Sequence, residues 1–313
     1  MATVLITGGT GLIGTALAKE LLNKNYEVII LSRSKEGSSS NKKLSYAKWN
    51  VNEQTIDKDA IAKADYIIHL AGAGIADKRW TKKRKQEIID SRVKSSELLV
   101  KALQENENKV KAVISSSAIG WYISLDSSPK NGNTLRKHME SDPPANDFLG
   151  TTCQKWEESI EPIKTLNKRL VKIRTGIVLS NEGGAIKEFK KPLRFGIAAI
   201  LGSGKQIISW IHIDDLVRIY MAAIEKETMN GVYNGVAPVP VTNKELVMEL
   251  AKAKKKNFFI PLHVPSWALK ILLGEMSIEV LKSAAISADK IVETGFSFLY
   301  PSIDLAIQKL AAS

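Results

Sequence analysis

The chain has 313 residues, 44% hydrophobic and 25% charged, the balance of a folded globular protein with ample core. Its 45 Lys+Arg against 33 Asp+Glu give a formal charge of +12, and no apolar run approaches the ~20 residues of a membrane span. A single cysteine, Cys153, excludes an internal disulfide, and with only His69, His138, His212 and His263 besides, no metal is expected.

Val4-Leu5-Ile6-Thr7 is a short apolar, β-branched run that predicts a buried strand. Gly8, Gly11 and Gly14 follow, and Thr15 to Leu22 has the period of an amphipathic helix. The first glycine allows a sharp turn, the second a close approach of backbone to a diphosphate, and the third tight packing of helix on strand. The helix start then offers free N–H groups and partial positive charge to phosphates. An ordinary tight turn between strand and helix is the competing reading, but the strand–turn–helix context favours a dinucleotide site.

Glu27 to Leu31 predicts a second strand, ending in Ser32-Arg33-Ser34. An NAD site usually carries a carboxylate about 20 residues beyond the glycines, whereas an arginine there suits a 2′-phosphate. No carboxylate stands at this strand end, and Arg33 can form a charge-assisted fork with Ser32 adding a hydroxyl. NADP(H) is therefore the expected cofactor, the alternative being an ordinary exposed arginine. Tyr46–Asn50 reads as a strand, 60–64 as a short helix, and Tyr66 to Gly72 as a buried strand. The small residues ending that strand let a flat ligand lie against the backbone.

Trp80 to Leu103 reads as a long helix, with or without a break, and Val110 to Ile114 as a strand running into Ser115-Ser116-Ser117-Ala118. Trp156–Leu166 reads as a helix and Leu170–Ile173 as a strand, giving the alternation of an α/β, doubly wound parallel sheet. Beyond Val178, glycines and Pro192 break the pattern. Gln206–His212 then predicts a strand, and 214–225, 242–255, 265–273 and 277–285 helices.

The lysine excess raises nucleic acid or an anionic membrane as partners. Yet Lys82-Lys83-Arg84-Lys85 and the run from Lys252 to Lys256 lie on polar faces of predicted helices, without aromatic interleaving. Solvated faces explain them, so neither partner is expected, and attraction of a phosphorylated cofactor is the more economical use of the charge. The N-terminus enters a strand almost at once, leaving no room for a signal peptide, so the expected compartment is the cytoplasm.

TGGTGLIG, HLAG, the SSSA strand end, RTGIVL and WIHIDDL occur in the order seen in extended short-chain dehydrogenase/reductases, which include the NAD(P)-dependent epimerase/dehydratase group. IADKRWTKKRKQEIIDSRV, LGSGKQIISWIHIDDLV, NGVAPVPVTNKEL and LLGEM further resemble an atypical epimerase-like subfamily with a characteristic C-terminal domain. The resemblance implies a Rossmann-type fold over 1–178, with 206–228 rejoining it, and a smaller, mainly helical C-terminal lobe over 179–313. It implies cofactor contacts from Gly8, Thr10, Gly11, Leu12, Ile13, Gly14, Ser32, Arg33, Leu70, Ala71 and Gly72, with Glu87, Arg92 and Val178 as further candidates. Glu87 and Arg92 read equally as charges on a helix surface.

The wider superfamily implies a serine or threonine, a tyrosine and a lysine, the last two one helical turn apart, with the lysine lowering the pKa of the tyrosine. The corresponding stretch, DFLGTTCQKWEES, places Leu149 where tyrosine belongs and Cys153 where lysine belongs. Ser117 remains to line the substrate site and Tyr122 to supply a proton, against the alternatives of a turn residue and a packing residue. Asp214 and Asp215 read as structural, Asp215 at the start of the following helix, and His212 is undecided. Two functions follow: an NADP(H)-dependent oxidoreductase or epimerase on a small carbonyl or sugar-like substrate of unknown identity, or a catalytically degenerate NADP(H)-binding sensor or scaffold. A homodimer is compatible with either.

Overall fold

The structure, a computed structural model, describes residues 1–34, 37–124, 136–255 and 258–312. Lys256, the last of the second lysine run, lies outside them. The chain opens with β1 (Thr3–Thr7), buried throughout, then α1 (Leu12–Asn23) and β2 (Glu27–Ser32). Short β3 (Gly37–Ser38), β4 (Leu44–Asn50) and β5 (Thr55–Ile56) follow, then α2 (Lys58–Lys63), capped by the Asp57 carboxylate, and β6 (Tyr66–His69). The long helix α3 (Lys82–Glu105) is unbroken and starts where the Thr81 hydroxyl accepts from the Arg84 N–H. It leads to β7 (Ala112–Ala118), α4 (Phe148–Ile160) and β8 (Arg169–Thr175).

The strand order β13-β8-β7-β6-β1-β2-β4-β3 makes one large sheet, in which the strands from β13 to β4 run parallel. The chain builds outward from β1 in one direction through β2 and β4, then returns to add β6, β7 and β8 on the other side. The order therefore reverses between β1 and β6, and in a doubly wound sheet ligands bind outside the carboxyl ends of the strands at that reversal. One face packs on α1, where Val4, Ile6 and Ile114 meet Leu17 and Leu21; the other packs on α2 and α3, where Leu5, Ile67 and Val113 meet Ile61, Leu98 and Leu99. The fold is the doubly wound parallel sheet that the alternation of strands and helices predicts, of the Rossmann type that the resemblance implies.

The remaining elements are β9 (Ile177–Leu179), α5 (Ala185–Leu193), β10 (Ile197–Leu201), β11 (Ile207–Ile208), β12 (Trp210–His212), α6 (Ile213–Glu225), β13 (Gly231–Gly235) and β14 (Val241–Thr242). After them come α7 (Asn243–Lys255), β15 (Ile260–Val264), α8 (Ser266–Leu273), α9 (Ser277–Leu281), α10 (Asp289–Glu293) and α11 (Ile303–Ala312). Helix α6 lies against α1 and the first face of the sheet, burying Leu216, Ile219 and Tyr220 there. A separate core formed by Leu193, Ile200, Trp210, Leu246, Leu250 and Ile307 joins α5, α7 and α11.

Several elements differ from expectation for local reasons. Helix α4 starts at Phe148 instead of Trp156, because the Asp147 carboxylate caps it by accepting from the Gly150 N–H at 2.7 Å. The strand expected over 206–212 is two pieces with different partners: β11 pairs with β14, and β12 runs parallel to β9. The helix expected over 277–285 stops at Leu281. Strands β13 and β15 and helix α11 were not foreseen. Among the described residues, no helix is long and apolar enough to cross a membrane.

Candidate functional site

The turn from β1 to α1 is held open by its glycines. Gly8 has φ +67°, in the left-handed region, and its carbonyl accepts the Gly11 N–H at 3.0 Å. A Cβ at Gly14 would stand 2.4 Å from the Gly8 oxygen and 2.6 Å from the Gly9 Cα, so the helix can approach the turn only without a side chain there. No side chain caps α1 and its first turn holds no acidic residue. Thr10 and Gly11 are exposed, with Leu12 and Ile13 half-buried. The amino end of a helix left in this state carries free N–H groups and partial positive charge, the requirements for holding a diphosphate.

Thr7 ties this turn to the end of β6. Its hydroxyl oxygen accepts from the Leu70 and Ala71 N–H groups, both at 3.1 Å, and so has its own proton left for His69 Nδ1 at 2.7 Å. That bond leaves the proton of the neutral ring on Nε2, where Ser96 accepts at 3.2 Å. Burial drives the His69 pKa down to about 3, so the ring stays neutral and its role is structural. Leu70, Ala71 and Gly72 run along the crevice between β1 and β6, while Arg33 stands exposed at the end of β2 beside buried Ser32, with no ion pair among the described residues. Val178 lies half-buried in β9, opposite Ile211 of β12.

The α3 candidates separate. Glu87 is exposed and paired with Arg84 at 2.8 Å, which holds its carboxyl below its ordinary pKa. Arg92 instead points inward, with Nη1 donating to the carbonyls of Ala73 at 3.0 Å and Ile88 at 2.9 Å.

The two catalytic candidates lie in the interior. Ser117 is 1% exposed and donates to Glu157 Oε1 at 2.7 Å. Tyr122 is fully buried; its hydroxyl donates to Asn234 Oδ1 at 2.6 Å and accepts from Arg174 Nη1 at 3.1 Å, while its ring stacks on His138. Burial raises its pKa to about 12. Both hydroxyls expected to act on substrate are thus engaged in a buried network, Ser117 with Glu157 and Tyr122 with Asn234 and Arg174. Tyr122→Phe should lower stability by about 1–3 kcal/mol, since it strips the bond from buried Asn234. Cofactor affinity should not change, and denaturant melts beside NADPH titrations would separate the two effects.

The centre of that network is the Glu157–Arg174 pair, which sequence reasoning missed. Arg174 Nε meets Glu157 Oε1 at 2.8 Å, Nη2 meets Oε2 at 3.1 Å, and Lys172 Nζ lies 3.4 Å from Oε2. The signal was present: Lys172 and Arg174 stand two residues apart in a largely buried strand, which places both on one covered face where a charge needs a partner. Leu149 and Cys153 stand buried on α4, Leu149 against Gly120 and Cys153 with its thiol pushed up to about 12 by burial. His212 caps α6 through Nδ1, which accepts the Asp214 N–H at 3.2 Å. Asp215 lies in the first turn of α6, and its carboxylate also accepts the N–H groups of Leu299 and Tyr300, tying the segment before α11 to α6.

Residues 4–147 match the model of the NAD dependent epimerase/dehydratase family, and residues 264–310 that of a domain of unknown function. An epimerase family protein of Staphylococcus saprophyticus is 36% identical over 312 residues, covering 99% of each chain. The crystal structure of a human epimerase family protein with NADPH is 29% identical, with a TM-score of 0.84 over 99% of both chains. A UDP-glucuronic acid 4-epimerase from Bacillus cereus, in complex with UDP-glucuronic acid and NAD, shares the fold at 18% identity, with a TM-score of 0.76 over 99% of each chain.

Proposed function

The chain belongs to the NAD dependent epimerase/dehydratase family, and on that premise we propose that it binds NADP(H) across the crevice between β1 and β6 and acts on a small carbonyl or sugar-like substrate. The observation that carries the reading is the uncapped start of α1 beneath the Gly8–Gly11 turn, packed so closely that a Cβ at Gly14 has no room. Such a cradle fits a diphosphate. Gly8, Thr10, Gly11, Leu12, Ile13 and Gly14 would hold the diphosphate, and Leu70, Ala71 and Gly72 would lie along the cofactor. Ser32 and Arg33 would take the 2′-phosphate, with Val178 at the far end of the cleft.

When bound, NADP(H) supplies hydride-transfer chemistry. The chain's own residues orient it: Thr7 locks β6 against β1, and Glu157 with Arg174 locks the end of β8 against α4. Neither Ser117 nor Tyr122 is free to move a proton at the reacting oxygen, so solvent water is the proton source in this reading. That same observation favours a second reading, a catalytically degenerate NADP(H)-binding sensor or scaffold. Leu149 and Cys153 offer no titrating group in its place, the Cys153 thiol being neutral at ordinary pH.

Isothermal titration with NADPH and NADH tests the binding. NADPH should bind the more tightly, and Arg33→Ala should weaken it by roughly tenfold, the worth of one charge-assisted fork at the surface, while leaving NADH unaffected. Equal affinity for the two cofactors in the unaltered protein would remove Arg33 from the account. Turnover over a panel of carbonyl substrates then separates enzyme from sensor.

A further inference from the structure

Helices α5, α7 and α11 share a core but leave between them a cavity of about 220 Å³. Leu250, Ala253 and Lys254 line it from α7, and Ile307, Leu310 and Ala311 from α11. On each helix these residues stand at i, i+3 and i+4, so one face of each bounds the cavity. The floor is apolar, for Leu250, Ile307 and Leu310 are at most 6% exposed. Ala253 and Ala311 are exposed and put only methyl groups at the mouth, which leaves it open to solvent.

Two cations stand over this floor. Lys190 of α5 is half-buried and Lys254 of α7 exposed, and both line the cavity. Their neighbours are neutralised, Lys191 by Glu188 and Lys252 by Glu249, each at 2.6 Å. Lys190 and Lys254 have no carboxylate within ion-pair distance among the described residues. Lys190 donates to the neutral side-chain oxygen of Asn181. Burial, and then the charge of Lys254, holds the Lys190 pKa below the ordinary lysine value. Like charges held beside an apolar surface favour an anion between them. Inorganic phosphate would satisfy the charges and leave the floor wet, whereas a neutral hydrocarbon would cover the floor and leave the charges unmatched. An amphipathic anion does both, and a cavity smaller than those that hold drug-sized molecules limits its tail to a short one.

We propose that this cavity binds a short-chain carboxylate, its tail against Leu250, Ile307 and Leu310 and its head group between Lys190 and Lys254. The site shares no residue with the crevice between β1 and β6, and it does not depend on what binds there.

Hexanoate, acetate and inorganic phosphate are titrated into the full-length protein at constant ionic strength, following the methyl NMR signals of Leu250, Ile307 and Leu310. Hexanoate should shift these signals saturably. It should bind at least about tenfold more tightly than acetate, because its further methylenes gain only from the floor. The double variant Lys190→Gln with Lys254→Gln should weaken hexanoate at least about tenfold. Ala253→Leu fills the cavity while keeping both lysines, and it should bring hexanoate down to the affinity of acetate. That variant carries the test if the double variant fails to fold. Phosphate or acetate binding as tightly as hexanoate would show that the floor is not used and would overturn the proposal. So would the absence of any saturable shift, or unchanged hexanoate affinity in a variant that folds.

Discussion

Gly14→Ala is expected to abolish measurable NADPH binding while the protein remains folded. The added methyl would lie 2.4 Å from the Gly8 oxygen and 2.6 Å from the Gly9 Cα, both backbone atoms that no rotamer change can move. The turn must then lift away from α1, and the N–H groups at the helix start lose their aim at the diphosphate. Losing even two charge-assisted bonds of about 1.5–3 kcal/mol each corresponds to at least roughly a hundredfold in affinity. The overpacking itself should lower stability by about 1–3 kcal/mol. Gly11→Ala serves as the comparison, because its Cβ would meet nothing nearer than the Gly8 oxygen at 3.4 Å, an ordinary contact. Calorimetric titration of both variants checks the idea: if Gly14→Ala binds NADPH as tightly as the unaltered protein, the turn is not the phosphate cradle.

The largest loss of stability is expected from Glu157→Ala. Its carboxylate accepts from Ser117 and from two nitrogens of Arg174 and lies near Lys172, all in the interior. Lys172 keeps Glu161 at 2.8 Å, but Arg174, 2% exposed, would retain only the Glu140 carbonyl, the Tyr122 hydroxyl and the ring of Trp121. Removing one partner of a buried pair costs about 3–5 kcal/mol, because the other charge remains buried. The double variant Glu157→Leu with Arg174→Met should recover much of that loss, since no unpaired charge is then left inside. Chemical denaturation of the single and double variants measures both effects. A single-variant loss below about 1 kcal/mol would show that water reaches Arg174 and that the pair is not sealed.

The parts of the site that could be read from residue order are those written in short-range chemistry. The turn after β1 announces itself because three glycines, a buried strand and a helical period fall within a few residues, each constraining the backbone locally. Arg33 is similar, since the end of β2 follows directly from its apolar run. Glu157 and Arg174 could not be paired in this way: they lie 17 residues apart on different elements, and only the packing of α4 over β8 brings them together. Tyr122 and Asn234, 112 residues apart, show the same limit more sharply. A tyrosine next to a strand end looks available for catalysis until a strand from the far end of the chain takes its proton.

By itself, the order of residues determined that a parallel sheet forms, that a glycine turn joins its first strand to a helix, and that the tyrosine and lysine of the wider superfamily are replaced. These follow from local sterics and hydrophobic period, which act over a few bonds. Tertiary structure alone decided which polar groups are spent: it buried the hydroxyls of Ser117 and Tyr122 and matched Glu157 to Arg174. The reason is physical, for availability depends on which groups the fold withdraws from water and which partners it sets beside them, and those partners come from distant parts of the chain.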